Sequence, residues 1–267
     1  MLGNLLHRRV ELRARDPGEL GEYYGSVWGF DVEESRGVWS VRAGGTELVF
    51  APATDDTDPF YHFAFNIPEH RFVDAKQWLS QRGPLLTDSD SGADDREFTT
   101  WDAHGCVSDP ARNIVELIAR HTRPYEYDDP FTVAAIEGVS EVGLAVPDQR
   151  EAAEFLESQL GLARYHDSTF ALGDERGLVL LPEIGYPWIP ERTQEAAMFP
   201  VHVELEGLAV CAGRVELPGT GHIIESRWSD PAATSTTTAC EWSGAPTRYQ
   251  GSLTRTCNRS SRTRQAP

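Results

Sequence analysis

The stretch Tyr61-His62-Phe63-Ala64-Phe65-Asn66-Ile67-Pro68 decides the fold class, because its side chains alternate with a period of two. Phe63, Phe65 and Ile67 fall on one face of such a strand, and His62, Ala64 and Asn66 on the other. One apolar face for a helix and one polar face around a histidine is the pattern of a strand that lines a cavity. Phe63 and Phe65 are therefore expected in the core, and His62 and Asn66 on a cavity wall.

Working outward, the segment 69–82 carries Phe72, Ala75, Trp78 and Leu79 at helical spacing and stops at Gly83-Pro84. Segments 98–101, 103–107 and 113–119 then read as strands, with Asp109-Pro110-Ala111-Arg112 as the last turn. Upstream the same order occurs. Residues 9–14 alternate, with Arg9, Glu11 and Arg13 on the polar face, and Asp16-Pro17 opens a helix whose apolar stripe is Leu20, Tyr23, Tyr24 and Val27. Tyr23, Tyr24 and Trp28 are read as packing residues. Strands at 30–33, 37–42 and 47–51 follow. Residues 7–51 and 61–119 thus form an internal β-α-β-β-β repeat.

The second half repeats the theme less completely. Segment 141–146 reads as an opening strand, 148–160 as its helix, and 170–172 and 178–181 as further strands. After the proline-rich loop 182–200 comes Val201-His202-Val203-Glu204-Leu205. Too few residues then precede His222-Ile223-Ile224-Glu225 for a helix and three strands, so a fourth module is reduced to a hairpin. With the fourth module reduced, Glu141, His202 and Glu225, although they echo the spacing of His62 and Glu116, read as ordinary strand residues. The expected division is a first two-module domain over 1–122, a linker over 123–134, an incomplete second domain over 135–226 and a disordered tail over 227–267. That tail carries +4 against −22 for residues 1–226, and its Ser, Thr, Arg and Pro are unpatterned.

With 267 residues, 40% of them hydrophobic, the chain can build two cores. A net charge of −18 and the lack of a basic stripe argue against nucleic acid as a partner. The acidity, with Lys76 as the single lysine, resembles that of halophilic proteins; it also serves solubility through self-repulsion. No signal peptide or membrane-spanning stretch is evident, which places the expectation in the cytoplasm without a membrane partner. Cys106, Cys211, Cys240 and Cys257 show no metal-binding spacing and read as free thiols.

The phrases Val10-Glu11-Leu12-Arg13, Tyr23-Tyr24-Gly25, Trp28-Gly29-Phe30, His62-Phe63-Ala64-Phe65 and Asp109-Pro110-Ala111-Arg112-Asn113-Ile114-Val115-Glu116-Leu117-Ile118, in that order, resemble the vicinal oxygen chelate superfamily. It includes glyoxalase I, extradiol dioxygenases and bleomycin resistance proteins. The resemblance implies an α+β fold in which paired βαβββ modules curl a sheet into a cup, here with a degenerate second domain. It also implies a divalent metal, iron, manganese, nickel or zinc, that chelates a small substrate through neighbouring oxygens. His62 and Glu116 match two ligand positions, and Glu47 and His7 are candidates for the others. Alignment of Arg9-Val10-Glu11-Leu12 with His62-Phe63-Ala64-Phe65 sets Arg9 at a ligand position, where a guanidinium has no lone pair to give. Arg9, Glu11, Arg13 and Asn66 become candidate substrate contacts, and His104 a candidate proton carrier. Two readings follow: a metal-dependent isomerase, lyase or dioxygenase, or a metal-free sequestering protein in which an arginine pairs with the cup carboxylates. A homodimer is compatible with either.

Overall fold

The computed structural model describes residues 5–54, 56–97, 102–123 and 125–229, and at positions 97, 102–104, 106 and 108 the backbone alone. The first module comprises β1 (Leu6–Ala14), α1 (Pro17–Glu22), β2 (Asp31–Ser35), β3 (Val38–Ala43) and β4 (Thr46–Pro52). Asp16 caps α1 by accepting from the Glu19 backbone N–H at 3.1 Å, and Pro17 fills the first turn, where no donor is needed. The helix runs on as a π-helical segment over Tyr23–Trp28, which ends on the left-handed Gly29. Tyr24 and Trp28 are buried, and Tyr24 stacks on Phe50 with ring centres 5.4 Å apart. α1 lies flat on β3: a Cβ at Gly21 would fall 2.0 Å from the Trp39 ring.

The second module is β5 (His62–Ile67), α2 (Phe72–Ser80), β6 (Arg96–Glu97), β7 (Asp102–Ser108) and β8 (Ile114–Arg120); the expected strand over 98–101 lies outside the described residues. The third is β9 (Gly138–Gly143), α3 (Gln149–Leu160), β10 (Ala171–Asp174) and β11 (Gly177–Leu180), its opening strand starting three residues before the expected one. The fourth is the expected remnant, β12 (Val201–Gly207), β13 (Gly213–Glu216) and β14 (Ile223–Trp228), with no helix. β14 runs past the expected end of the folded body at residue 226, and Arg227 pairs with Glu204 at 3.0 Å. The remainder of the tail lies outside the described residues. Cys211 is disulfide-bonded, which corrects the expectation of free thiols throughout.

Modules pair out of sequence order. One seven-stranded sheet runs β13-β14-β12-β1-β4-β3-β2 and joins modules 1 and 4; the other runs β10-β11-β9-β5-β8-β7-β6 and joins modules 2 and 3. The two consecutive modules expected to share the first cup therefore stand in different sheets. The edge of β1 goes instead to β12, where Val10 meets Val203 and Leu12 meets Val201, so that apolar side chains continue across the join. Apolar faces of both sheets and of the helices merge in one core that includes Val10, Leu12, Phe50, Phe63, Phe65, Leu117 and Leu156. Phe63 and Phe65 are fully buried in it. The polar faces look the opposite way. Modules 1 and 2 are tied by Asp109, which accepts from the Tyr24 hydroxyl at 2.9 Å and from the Asn113 side chain at 2.9 Å. Burial raises the Asp109 carboxyl to about 6, the bonds from Asn113 and Tyr24 offsetting part of the shift.

Candidate functional site

Strand register decides which side chains meet. In the parallel pairs that close three of the modules, Arg9 stands beside Glu47, Ala64 beside Glu116 and Glu204 beside Glu225. The antiparallel joins set Arg9 opposite Glu204 and Ala64 opposite Glu141. Residues 9, 64, 141 and 204 are therefore counterparts, and two places earlier in each strand lie His7, His62, Val139 and His202. Arg9 therefore corresponds to Ala64 and not, as the alignment had it, to His62; His7 takes the place of His62 only by count along the chain, because a register shift separates it from Arg9. Glu47, Glu116 and Glu225 share one position on the closing strands.

In the sheet of modules 2 and 3, His62 Nε2 lies 3.0 Å from Glu116 Oε2, with both side chains nearly solvent-free, at 5% and 6% exposure. Beside them Arg120 donates to Glu141, and both are buried. The indole of Trp188, from the proline-rich loop, lies parallel on the His62 ring at 4.6 Å. Gly143 makes room for it, since a Cβ there would come within 2.7 Å of the indole. Trp188 packs with Ile114, Ala145 and Ala196 in a cluster separate from the main core. The expected cavity wall is thus covered, and His62, Ala64 and Asn66 are all buried.

The matching face of the sheet of modules 1 and 4 is half-exposed. His202 Nε2 lies 3.1 Å from Glu225 Oε1, repeating the His62–Glu116 pair, and Arg214 also donates to Glu225 at 2.8 Å. Arg9 bridges Glu47 at 2.6 Å and Glu11 at 3.1 Å, and Arg13 meets the other Glu11 oxygen at 3.1 Å. Burial pulls the Arg9 pKa down, but the bonds and charges of Glu11 and Glu47 outweigh it, and it ends above the ordinary arginine value.

These repeated units now coincide with known architectures. A Bacillus subtilis protein assigned as a dioxygenase aligns with the chain at a TM-score of 0.53 and 14% identity, covering 86% of this chain and 87% of that one. This is the fold of the vicinal oxygen chelate superfamily. Zea mays glyoxalase I is similar over 84% of this chain and 92% of its own, at 16% identity and a TM-score of 0.44. A glyoxalase/bleomycin resistance protein/dioxygenase of Alicyclobacillus acidocaldarius matches 42% of this chain and 89% of its own, at 20% identity and a TM-score of 0.34. No protein-family model and no curated relative matches the sequence.

Within this fold the expected site residues are divided. His62 and Glu116 meet in one sheet; Glu47, Arg9, Glu11 and Arg13 lie together in the other. His7 belongs to neither polar face. A β-bulge between His7 and Arg9 turns it opposite Leu205 into the interior, where Nδ1–H donates to the Val139 carbonyl at 3.1 Å. Burial lowers its pKa to about 4, so the ring is neutral near pH 7. Asn66 is held by the β10–β11 turn, donating to the Arg176 carbonyl at 3.2 Å. His104 stands opposite Ile118 in the strand ladder, and its side chain lies outside the described residues. Sequence reading passed over Arg120 and Trp188. Arg120 had a signal, falling four residues after Glu116 on the same strand face; Trp188 had only its place as the single tryptophan of the proline-rich loop.

A resident divalent metal needs three or more converging donors with free lone pairs. On the buried face His62 and Glu116 are engaged with each other, Glu141 with Arg120, and Ile114 and Ile118 supply the neighbouring positions. On the open face Glu47, Glu11 and Glu225 are held by arginines. Among the described residues no three His, Cys, Asp or Glu side chains are grouped to hold an ion. These side chains do not fit a metal centre.

Proposed function

We propose that the protein is a metal-free binder of a small, polar, oxygen-bearing molecule, which docks on the open face of modules 1 and 4. The observation that carries this reading is charge pairing. Glu11, Glu47, Glu204, Glu206 and Glu225 each have a protein arginine within salt-bridge distance, which leaves that face charge-balanced without a cation from outside. Arg9 supplies the fixed positive charge. Its partner Glu47 is 45% exposed, so a ligand carboxylate or hydroxyl can take the outer side of the guanidinium with little desolvation. The test is a thermal-shift screen of small carboxylates, hydroxy acids and amino acids with and without chelator. Any stabilising compound should act equally in chelator and lose its effect in Arg9→Met; chelator-sensitive binding would reject the reading.

A second reading, a metal-dependent enzyme of the glyoxalase or dioxygenase kind, is favoured by one feature. The same histidine–glutamate pair occurs at equivalent positions in modules 2 and 4, at 3.0 and 3.1 Å. Imidazole beside carboxylate is a usable half of a metal site. It requires at least one further donor, which the arginine-bound carboxylates do not offer.

A further inference from the structure

We propose that a cleft between modules 3 and 4 binds a small apolar amine, with its hydrocarbon among core side chains and its ammonium group at two carboxylates on the rim. The two halves of the molecule repeat one junction, in which the start of a helix faces the turn before the last strand of the next module. Asp16 caps α1 by accepting from the N–H three residues on, and Asp148 caps α3 in the same way at 2.8 Å, so Ala152 takes the place of Leu20. In the turns, the Asn113 side chain accepts from the Tyr61 N–H at 2.7 Å and the His222 ring from the Val201 N–H at 3.2 Å. Asp109 N–H donates to the Asn113 carbonyl and Leu217 N–H to the His222 carbonyl, so Leu217 takes the place of Asp109.

The first junction is filled by Leu20, which is fully buried, and bolted by the Tyr24–Asp109 bond. At the second, the leucine is cut back to alanine and the bolting carboxylate is replaced by hydrocarbon. A cleft of about 240 Å³ remains, walled by Val146, Ala152, Phe155, Leu217 and Pro218. A dry cavity of roughly 150 Å³ is enough for benzene, so a benzyl group fits. The Thr220 hydroxyl on the same wall is already engaged, donating to the Leu217 carbonyl at 2.8 Å and accepting from the His222 N–H at 3.0 Å. Charge comes from the rim, where Asp148 and Glu151 border the cleft. Neither has a basic partner among the described residues, since the neighbouring Arg150 pairs with Glu154 at 3.6 Å, whereas the carboxylates of the open face are held by arginines. The two carboxylates together outweigh the roughly half positive charge of the helix start, so the rim attracts a cation and repels an anion. Val146 and Leu217 belong to the main core, which lies on the other side of the sheet from the open face of modules 1 and 4, and either proposal can fail without the other.

Benzylamine is the probe, with benzyl alcohol as its neutral counterpart and phenylacetate as its anionic one. Calorimetric titration of the full chain at low salt should give one saturable benzylamine site with a Kd of about 1 mM, and weaker binding of benzyl alcohol by about fivefold. Phenylacetate should not bind there. Glu151→Gln, an exposed change that leaves the fold intact, should weaken benzylamine about threefold and leave benzyl alcohol unchanged. Ala152→Leu restores the filling seen at the first junction, and should abolish binding of both without lowering the melting temperature. Equal affinity for benzylamine and phenylacetate, or benzylamine binding unchanged in Glu151→Gln, would overturn the choice of a cation. The absence of a saturable site in the natural chain, or benzylamine binding that survives Ala152→Leu, would overturn the proposal. A dimer insensitive to benzylamine and disrupted by Ala152→Leu would give the cleft to a second copy of the chain, and would overturn it as well.

Discussion

The two sheets present the same histidine–glutamate pair in different surroundings. His62–Glu116 and His202–Glu225 share their strand positions and differ by 0.1 Å in length, yet the first pair is nearly solvent-free and the second is 26% and 37% exposed. What separates them is the cover. Module 3 donates the proline-rich loop that lays Trp188 over the first pair, whereas on the opposite face no ring is stacked on His202 among the described residues. Register places residues; burial decides what they cost and what they can do. A hydrogen-bonded pair in water is worth little, and the same pair under an indole is expensive to break, because the partner left behind is buried.

The sharpest way to break this contrast is to remove one glutamate from each face. Glu141→Ala takes the carboxylate from the buried Arg120 and should destabilise the fold by roughly 3–5 kcal/mol in urea unfolding. A loss below about 1 kcal/mol would show that water reaches that face, and the distinction between the sheets would fall.

A second prediction sharpens the contrast through pH. His7, which the β-bulge turns into the interior, has its folded pKa lowered to about 4 by burial. Between pH 4 and 6.5 the unfolded chain binds a proton there that the native state does not, so stability falls by about 3 kcal/mol as pH drops through that window. Asp109, raised to about 6, acts with the opposite sign: the native state holds the extra proton between pH 4 and 6, and stability falls as pH rises. The two slopes nearly offset in the natural chain. Asp109→Asn should therefore lose about 3 kcal/mol more, relative to the natural chain, at pH 4 than at pH 6, and His7→Gln should lose correspondingly less at pH 4 than near pH 6.5. Parallel stability–pH curves for all three proteins would contradict the buried positions of both groups.

The smallest effect belongs to the open face. Glu47→Gln should cost below about 1 kcal/mol, and raising salt to about 1 M should remove most of the difference. A larger, salt-independent loss would mean that Arg9 and Glu47 are sealed from solvent and that the open face is not open.

The fold was legible because each module declares itself through period-two strands and a capped helix. Asp16-Pro17 at one helix start and Phe63 and Phe65 on one strand face are local signals, and local chemistry sets them. The pairing of modules 1 with 4 and 2 with 3 was not legible. It depends on which strand edges meet, and β1 offers the same alternating edge to β12 as it would to β5. For the same reason the candidate site was read as one set of residues when the sheets divide it in two. The bulge that turns His7 inward is a one-residue slip, invisible to a pattern that counts by twos. Trp188 was out of reach because an irregular loop has no period from which to infer what it covers.

Metal content tests the central claim most directly. The full chain, purified after growth with iron, manganese, nickel and zinc, should carry less than about a tenth of an equivalent of any of them by elemental analysis, with the same melting temperature before and after chelator. Near-stoichiometric metal that is lost in Glu225→Ala or in Glu116→Ala would contradict the account, and would show that an arginine gives up its carboxylate to complete the site.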